Sequence, residues 1–476
     1  MVSFSGSSFM AVLSPEKILP SGTYIHRVSE SIVPSTAPVT NPSSFPLADS
    51  GISESHPGIA CNSAQCLWVW QDARDGNYDI FGITLNRDGT ALAPSPFPIT
   101  RDAANQRNPA VAFNGTDFIV AWQDERGGTT SPDIYIARVD TSGAVRDPNG
   151  IKVSNSPTAS SKINPQVAAS GVGQSLILWE DSRDASGAHI YGARVDPNGA
   201  VLDPGNFGLL TGLTGDQHLP QLAYNGSEYL AAWKQTIASP NKYGIDAVRI
   251  STSGKVLDTS GLAIALSANV LSAPSVGSHG SNFLVAWASD LGSGQSGMVG
   301  TEVRFDGTVS GAPELFSSSA DSINHSCLSF DGVNYLLTWE TTRRDPRALG
   351  LPSLFAAILN PSGTLQTGSA NILSSQSEAI AAALAPLTPG HFLITYQAFK
   401  GAPFGSSRVL AQSLILEGLG QACTDPNQCG SGFCTDGVCC DSACGYGSSQ
   451  DCQACAVSAG ANANGTCGVA EKIQKD

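Results

Sequence analysis

Residues 108–145 read NPAVAFNGTDFIVAWQDERGGTTSPDIYIARVDTSGAV. This segment contains, in order, a proline-headed apolar run, an Asn-Gly pair, an apolar run that ends in tryptophan, a loop, and a third apolar run before a Ser-Gly turn. Asn-Gly pairs favour the positive φ angles of tight hairpins, and β-branched and aromatic residues favour strands. The segment therefore predicts three antiparallel strands joined by turns.

The same order of features recurs along the whole chain. The aromatic residue that ends the second apolar run stands 52 to 57 residues from the next one, at Trp70, Trp122, Trp179, Trp233, Trp287, Trp339 and Tyr396. A fourth short strand closes each unit. Seven four-strand units predict an all-β fold, a seven-bladed β-propeller of four-stranded antiparallel blades. A helical solenoid is excluded because no segment of about 10–12 residues shows a 3.6-residue period.

The last unit enters a cysteine-rich tail without a fourth strand. Residues 37–60, APVTNPSSFPLADSGISESHPGIA, parallel residues 91–112 of the next unit. The region near 37–47 is therefore expected to supply the missing strand, which would close the ring and remove a sheet edge. The sequence predicts a partly irregular N-terminal leader over 1–36, the propeller over 37–417, and a small disulfide-rich C-terminal module over 418–476.

The composition excludes several classes of partner. Hydrophobic residues make up 41% of the chain and charged residues 14%, and the net charge is −15. An acidic chain has no electrostatic attraction to nucleic acid or anionic lipid, and no apolar run approaches the ~18 residues of a membrane helix. We expect no nucleic-acid partner, no transmembrane segment, and a monomeric disc. The N-terminus lacks a basic region, so either the leader is atypical or residue 1 is not the native start.

Cysteines divide the chain. Nine of the twelve lie between Cys423 and Cys467, which is typical of a disulfide framework and an oxidising compartment. We therefore expect a secreted or cell-surface protein, extracellular or periplasmic. A zinc site is the competing interpretation, but the tail holds a single C-x-x-C pair, Cys452 and Cys455, and no histidine.

The upstream cysteines give separate predictions. Cys61 and Cys66 flank the first hairpin turn, where facing Cβ atoms are close enough for a disulfide. Cys327 stands alone in an innermost strand. It either bridges to the odd number of tail cysteines or is a buried free thiol.

Two segments carry a family resemblance. WQDARDGNYDIFG (70–82) and residues 122–140 resemble the repeats of bacterial secreted or periplasmic propellers. The tail over 422–455 is similar to a cysteine-rich C-terminal segment of exported myxobacterial proteins and, more loosely, to Dickkopf-type modules. The resemblance implies an exported bacterial protein. It assigns no chemistry to particular residues.

The first candidate site is the mouth of the central channel. The residues just before the innermost strands are polar in four blades and apolar in the other three, where Leu219, Ala273 and Ala382 stand. These polar residues either cap the backbone groups at the strand starts or bind a ligand at the channel mouth. These residues are His56, Asn108, Asn164 and His325.

The second candidate site is a set of acid-x-Arg units after the tryptophans of blades one to three. They either form a charged recognition patch on one side of the ring or are local ion pairs that order a loop. The pairs are Asp72/Arg74, Asp124/Arg126 and Asp181/Arg183. No metal is predicted. A calcium loop made of Asp72, Asp75, Asn77 and Asp79 is an alternative only, since the spacing departs from the EF-hand pattern.

Enzyme motifs are few. Residues 292–297, GSGQSG, match G-x-G-x-x-G without the strand–helix context that a dinucleotide site needs. The sequence has no G-x-S-x-G elbow, no H-E-x-x-H and no P-loop, and we expect no cofactor. Six of the seven tryptophans anchor repeats and Trp68 shares a strand with Trp70, which leaves no tryptophan for sugar stacking.

These observations predict an exported, non-enzymatic binding or adhesion module. Such a module would present one loop face to an extracellular protein or carbohydrate. The alternative is a polysaccharide-active hydrolase or lyase that uses loop carboxylates, and a purely structural surface component is the third possibility.

Overall fold

The computed structural model describes residues 2–5, 8–11, 45–46, 54–87, 91–171, 173–184, 186–211, 215–236, 243–265, 269–342, 353–365, 370–373, 379–388, 391–400, 406–415, 434–435, 437–440, 453–454, 456 and 468–469. Every regular element in these residues is a β-strand. No helix that could cross a membrane occurs among them.

Seven four-stranded antiparallel sheets form the blades of the propeller. Each of the first six blades uses four consecutive strands. Blade 1 contains β4 (Glu54–Cys61), β5 (Gln65–Asp72), β6 (Asp79–Asn86) and β7 (Phe97–Thr100). Blade 2 contains β8 (Gln106–Phe113), β9 (Phe118–Asp124), β10 (Asp133–Val139) and β11 (Ile151–Lys152). Blade 3 contains β12 (Lys162–Ala169), β13 (Ser175–Asp184), β14 (Gly187–Val195) and β15 (Phe207–Gly208).

The next three blades have the same order. Blade 4 contains β16 (Gln217–Tyr224), β17 (Glu228–Thr236), β18 (Tyr243–Ser251) and β19 (Leu262–Ala265). Blade 5 contains β20 (Ser275–His279), β21 (Asn282–Gly292), β22 (Gln295–Val303) and β23 (Glu314–Ser319). Blade 6 contains β24 (Ser322–Phe330), β25 (Tyr335–Thr342), β26 (Ser353–Leu359) and β27 (Ala370–Leu373).

Blade 7 joins the two ends of the ring. It contains β28 (Ala379–Thr388), β29 (His391–Lys400) and β30 (Ser406–Ile415), and its outer strand is β3 (Phe45–Pro46) from the start of the chain. Phe45 pairs with Ala411 and Pro46 with Leu410. The predicted closure is therefore confirmed. Each innermost strand also contacts the innermost strands of both neighbouring blades, so the ring is complete.

Short strand pairs lie outside the ring. Near the N-terminus β1 (Val2–Ser5) pairs with β2 (Ser8–Ala11). In the tail β31 (Cys434–Thr435) pairs with β32 (Val438–Cys439), and β33 (Gln453–Ala454) pairs with β34 (Gly468–Val469).

The hydrophobic core is divided among the interfaces between blades. Seven clusters of buried residues each join two neighbouring blades, and the cluster around Trp68 and Trp70 joins blade 1 to Leu393 and Val409 of blade 7. All seven tryptophans are at most 2% exposed. The repeated aromatic residue is therefore an interblade anchor, and burial of such large side chains dominates the free energy of folding.

Arginine–aspartate pairs link three consecutive blades to the next one. Arg138 pairs with Asp147 of its own blade at 2.8 Å, and its Nη1 donates to the Pro197 carbonyl of blade 3. The same arrangement recurs in the next two blades. Arg194 pairs with Asp203 and donates to the Thr252 carbonyl of blade 4, and Arg249 pairs with Asp258 and donates to the Phe305 carbonyl of blade 5. Their spacing is visible in the repeats RVDTSGAVRD and RVDPNGAVLD, although we made no prediction from it.

The interface between blades 7 and 1 buries a carboxyl group beside a guanidinium group, and burial raises the pKa of this carboxyl group, Glu54, to about 8. Glu54 and Arg408 are 0% and 1% exposed, and Arg408 Nη1 lies 3.3 Å from Glu54 Oε1. The backbone N–H of Val409 donates to Glu54 Oε2 at 3.1 Å. At the interface between blades 3 and 4, Gln217 occupies the matching strand start and accepts a bond from the backbone N–H of Ile190.

The cysteine predictions are resolved in part. Cys61 and Cys66 form the predicted disulfide. Cys327 carries a free thiol, so the bridge from the propeller to the tail is not formed, and burial raises the pKa of this thiol to about 11. Three tail cysteines, Cys434, Cys439 and Cys440, are disulfide-bonded. The other tail cysteines lie outside the described residues.

Candidate functional site

The mouth of the channel is shaped by β-bulges. In six blades the register between the innermost strand and its neighbour skips two residues close to the strand start. The skipped pairs are His56-Pro57, Asn108-Pro109, Asn164-Pro165, Leu219-Pro220, Asn324-His325 and Ala381-Ala382. A bulge bends the strand and redirects a side chain. The predicted mouth residues therefore lie on bulges.

Four of these residues have left-handed backbone conformations. The φ angles of His56, Asn108, Asn164 and Leu219 lie between 51° and 53°. Such values are uncommon for residues other than glycine, and a following proline disfavours helical conformations further. Strain of this kind persists only where the surrounding structure imposes it, and it clusters at functional sites. Its repetition in four consecutive blades marks the mouth as a built feature.

Hydrogen bonds connect the mouth residues across blades. Asn108 Nδ2 donates to Asn164 Oδ1 at 3.2 Å, so two predicted site residues of neighbouring blades are in contact. The backbone N–H of Asn108 donates to Gln71 Oε1 of blade 1 at 3.0 Å. Asn164 Nδ2 and the backbone N–H of Leu219 both donate to Glu180 Oε1 at 2.7 Å. The side chains of Asn108 and Asn164 therefore bond to other side chains, whereas Gln71 and Glu180 accept from the backbone N–H groups at the strand starts.

The two predicted histidines lie in the same part of the mouth. Both side chains are exposed, His325 by 72%. Partial burial lowers the pKa of His56, and the charges of His325 and Arg107 lower it further. The imidazole of His56 has no hydrogen-bond partner in the described part of the chain. At neutral pH it therefore presents an uncharged ring that is free to bind.

Glu340 orients His325. The Nδ1 atom of His325 lies 3.5 Å from Glu340 Oε1, and this contact raises the pKa of the imidazole. The Nδ1–H is then directed at the carboxylate, which leaves Nε2 for a ligand.

Sequence reasoning missed the residues that support the mouth. Gln71, Glu180 and Glu340 each follow the anchoring tryptophan directly, and His218 precedes Leu219. His218 Nδ1 donates to Glu180 Oε2 at 3.1 Å, which raises the pKa of His218. In the sequence, the one indication of these contacts was the polar residue that recurs directly after the tryptophan, inside an otherwise apolar strand.

The acid-x-Arg units lie within the blades. Asp124 is fully buried; its Oδ2 accepts a bond from the indole of Trp122 at 2.8 Å, and Arg126 Nη2 lies 2.7 Å away. The Arg126 guanidinium stacks on Tyr135 at 4.2 Å. In blade 1, Asp72 accepts from the Trp70 indole and pairs with Arg74, which stacks on Phe81. In blade 3, Asp181 accepts from the Trp179 indole and pairs with Arg183, which stacks on Tyr191. Buried carboxylates cannot meet a ligand in solvent, so these pairs stabilise the loop they begin.

The calcium alternative is not supported by convergent ligands. Both oxygens of Asp72 are engaged by Trp70 and Arg74. Asp75 pairs with Arg101 at 3.0 Å, and Asn77 donates to the carbonyls of Asp102 and Ala104. Among the described residues, no group of three or more His, Cys, Asp or Glu side chains is arranged to hold a metal ion.

Comparisons with known proteins show likeness in fold only. No protein-family model matches the chain, and no curated protein sequence matches it. An uncharacterised protein from Dyadobacter fermentans is 11% identical with a TM-score of 0.46, over 78% of this chain and 96% of that one. The β-propeller domain of the Trilobed protease from Pyrococcus furiosus is 10% identical with a TM-score of 0.45, over 76% and 95%. A mutant of NanB sialidase from Streptococcus pneumoniae is 10% identical with a TM-score of 0.43, over 80% and 71%.

Proposed function

We propose that this protein is an exported, non-enzymatic binding module that takes an extracellular ligand, protein or carbohydrate, at the mouth of its central channel. The observation that carries the proposal is the series of bulges at the starts of the innermost strands. His56, Asn108, Asn164 and His325 lie on the bulges of four different blades.

The exposure of the polar groups supports binding rather than catalysis. The imidazoles of His56 and His325 are exposed, whereas the side chains of Glu180 and Glu340 beneath the mouth are 6% and 5% exposed. Glycoside cleavage in its common form needs two carboxyl groups that face the substrate. The loop carboxylates that the enzyme alternative requires, Asp72 and Asp124, are fully buried in ion pairs.

Export is part of the same proposal. Disulfides form and persist mainly in oxidising compartments, and the chain contains Cys61–Cys66 together with bonded cysteines in the tail. In this proposal the disulfide-rich tail is a protease-resistant stalk or a second adhesive element, and the propeller is a monomeric disc.

The test is a binding panel on purified, oxidised protein. Arrayed polysaccharides and extracellular peptides are screened for binding, and sugar release is measured in the same samples. We expect binding without release, and loss of that binding in His56→Ala/His325→Ala but not in His279→Gln, a histidine on a hairpin of blade 5. Sugar release that depends on a loop carboxylate would instead establish the enzyme alternative.

A further inference from the structure

The mouth has two chemically different sides. His56 of blade 1 and His325 of blade 6 present exposed imidazole rings. On the far side of the ring, blade 4 places Leu219 at the equivalent bulge, where it is 38% exposed. Leucine in a left-handed conformation before proline is unfavourable, so its position in the opening needs a reason beyond packing.

The imidazole side is suited to an anionic group. Two carboxylates beneath the mouth are engaged by protein groups: Glu180 accepts three bonds from Asn164, His218 and the backbone of Leu219, and Glu340 faces His325 Nδ1. The side chains of Glu180 and Glu340 are 6% and 5% exposed, whereas the imidazole rings of His56 and His325 are exposed. His56 can donate an N–H to a carboxylate, and His325 can donate its Nε2–H when the ring is protonated; hydrogen bonds to an ionised acceptor are stronger than bonds between neutral groups.

The mouth offers little for stacking a sugar ring. All seven tryptophans are buried between blades. The anchoring Tyr135 and Tyr191 are covered by the guanidinium groups of Arg126 and Arg183. Recognition at this opening therefore rests on hydrogen bonds and one aliphatic contact.

We propose, on the basis of the binding function above, that the ligand is a peptide of a partner protein in which a carboxylate lies next to an aliphatic side chain. The carboxylate binds between His56 and His325, and the aliphatic side chain contacts Leu219. A chain terminus and an aspartate or glutamate side chain both supply this chemistry, and the experiment distinguishes them.

The experiment measures fluorescence anisotropy with four labelled probes. One is a pentapeptide ending in Ala-Val with a free carboxylate, and the second is its C-terminal amide. The third is an amidated peptide with an internal Asp-Val, and the fourth is an oligogalacturonate. We expect the carboxylate-bearing peptides to bind, the neutral amide to bind at least tenfold more weakly, and His56→Ala/His325→Ala to lose at least tenfold in affinity for the carboxylate probes.

A second pair of variants tests the aliphatic side. Leu219→Ser is expected to weaken binding of the Ala-Val peptide about fivefold while leaving a matched Ala-Gly peptide unchanged. Leu257→Ser is the control, because Leu257 is 37% exposed but lies in a turn rather than at the mouth. Circular dichroism establishes that each variant is folded.

Several results would overturn the inference. Equal binding of the free and amidated peptides, or wild-type affinity in both sets of variants, would contradict it directly. Binding of the oligogalacturonate with no peptide bound would refute the peptide ligand while the binding module stands. Failure of every probe here and of every ligand in the wider panel would refute both proposals.

Discussion

At the residue scale, the most informative side chains are the buried aspartates beside the tryptophans. Asp124 accepts from an indole, a backbone N–H and a guanidinium at once, so every part of its carboxylate is used. Blade 4 has Gln235 at this position, and its Oε1 still accepts the indole bond from Trp233 at 3.1 Å. Blades 1 to 4 share an acceptor for the indole of the anchoring tryptophan, and the charge is an addition in blades 1 to 3.

Removing one of these acceptors is expected to destabilise the fold. Asp124→Ala leaves the buried Trp122 indole without its acceptor and removes the carboxylate partner of Arg126, at a cost of about 3 kcal/mol. Urea unfolding measures the change. Asp75→Ala is the control, since Asp75 and Arg101 are 42% and 55% exposed and such pairs contribute about 0.5 kcal/mol or less. Equal effects of the two variants would contradict the argument.

Asp79 gives a prediction with a defined pH window. Burial raises the pKa of Asp79 to about 6, from 3.8 in the unfolded chain. Between pH 3.8 and pH 6 Asp79 is ionised in the unfolded chain but still protonated in the folded protein. The free energy of unfolding therefore falls as the pH rises through this range, and the loss is complete above pH 6. Asp79→Asn is therefore expected to be more stable than the wild type by about 2–3 kcal/mol at pH 7 and equal to it below pH 4.

Asp133 is the control for Asp79, because its pKa is shifted in the opposite direction. Burial alone would raise the pKa of Asp133, but hydrogen bonds from Lys152 and Lys162 lower it overall. Its contribution to stability is present above the unfolded pKa and is lost as the pH falls. Asp133→Asn should therefore be less stable than the wild type at pH 7, with the difference shrinking in acid. Parallel pH profiles for the two variants would refute both assignments.

At the scale of elements, the innermost strand combines two features. Its start is bulged toward the channel, and its end forms a tight hairpin with the second strand. The facing residues of this hairpin are aromatic in blades 2, 4 and 6, as in Phe113 and Phe118, whose ring centroids are 5.0 Å apart. Blade 1 uses the Cys61–Cys66 disulfide there instead. The disulfide therefore occupies the position that packed aromatic pairs take in blades 2, 4 and 6.

The strain at the bulge of blade 4 can be relieved. Leu219→Asn places at that bulge the residue that blades 2 and 3 carry, and asparagine tolerates positive φ better than leucine. We expect a gain of about 0.5–1 kcal/mol in the free energy of unfolding, measured in urea. Leu257→Asn, at a similarly exposed leucine without positive φ, should give no gain. Destabilisation by Leu219→Asn would mean that the leucine packs more than its exposure suggests.

Much of this element structure could be predicted from the sequence. The aromatic period, the hairpin turns, the disulfide and the closing strand are all visible because each depends on neighbouring residues or on repetition. The bond from Asn108 to Gln71 and the burial of Asp124 could not be predicted, because they depend on how adjacent blades meet. The positive φ of Leu219 opposes the intrinsic backbone preference of leucine. The sequence indicated this conformation only through the proline that follows the mouth position in several blades.

At the scale of the whole molecule, the ring depends on one short pairing. Two residues of β3 register with the ten-residue strand β30. Removal of residues 1–47 would expose the edge of β30, and exposed edges pair with other chains. We expect a lower thermal midpoint and concentration-dependent association, measured by calorimetry and sedimentation. Removal of residues 1–36, which keeps β3, is the control and should preserve both the thermal midpoint and the monomeric state. If the two truncated proteins behave identically, the role assigned to β3 is wrong.

The closing blade also determines how the molecule responds to mechanical load. Because β3 and β30 lie side by side, a pull between the two chain ends acts on blade 7 first. We expect the described pairing of β3 to give way before the tryptophan-lined interfaces of blades 2 to 5. Under extension the disc would then open first at blade 7, and a tether through the tail would load the closing strand before the mouth residues of blades 2 and 3.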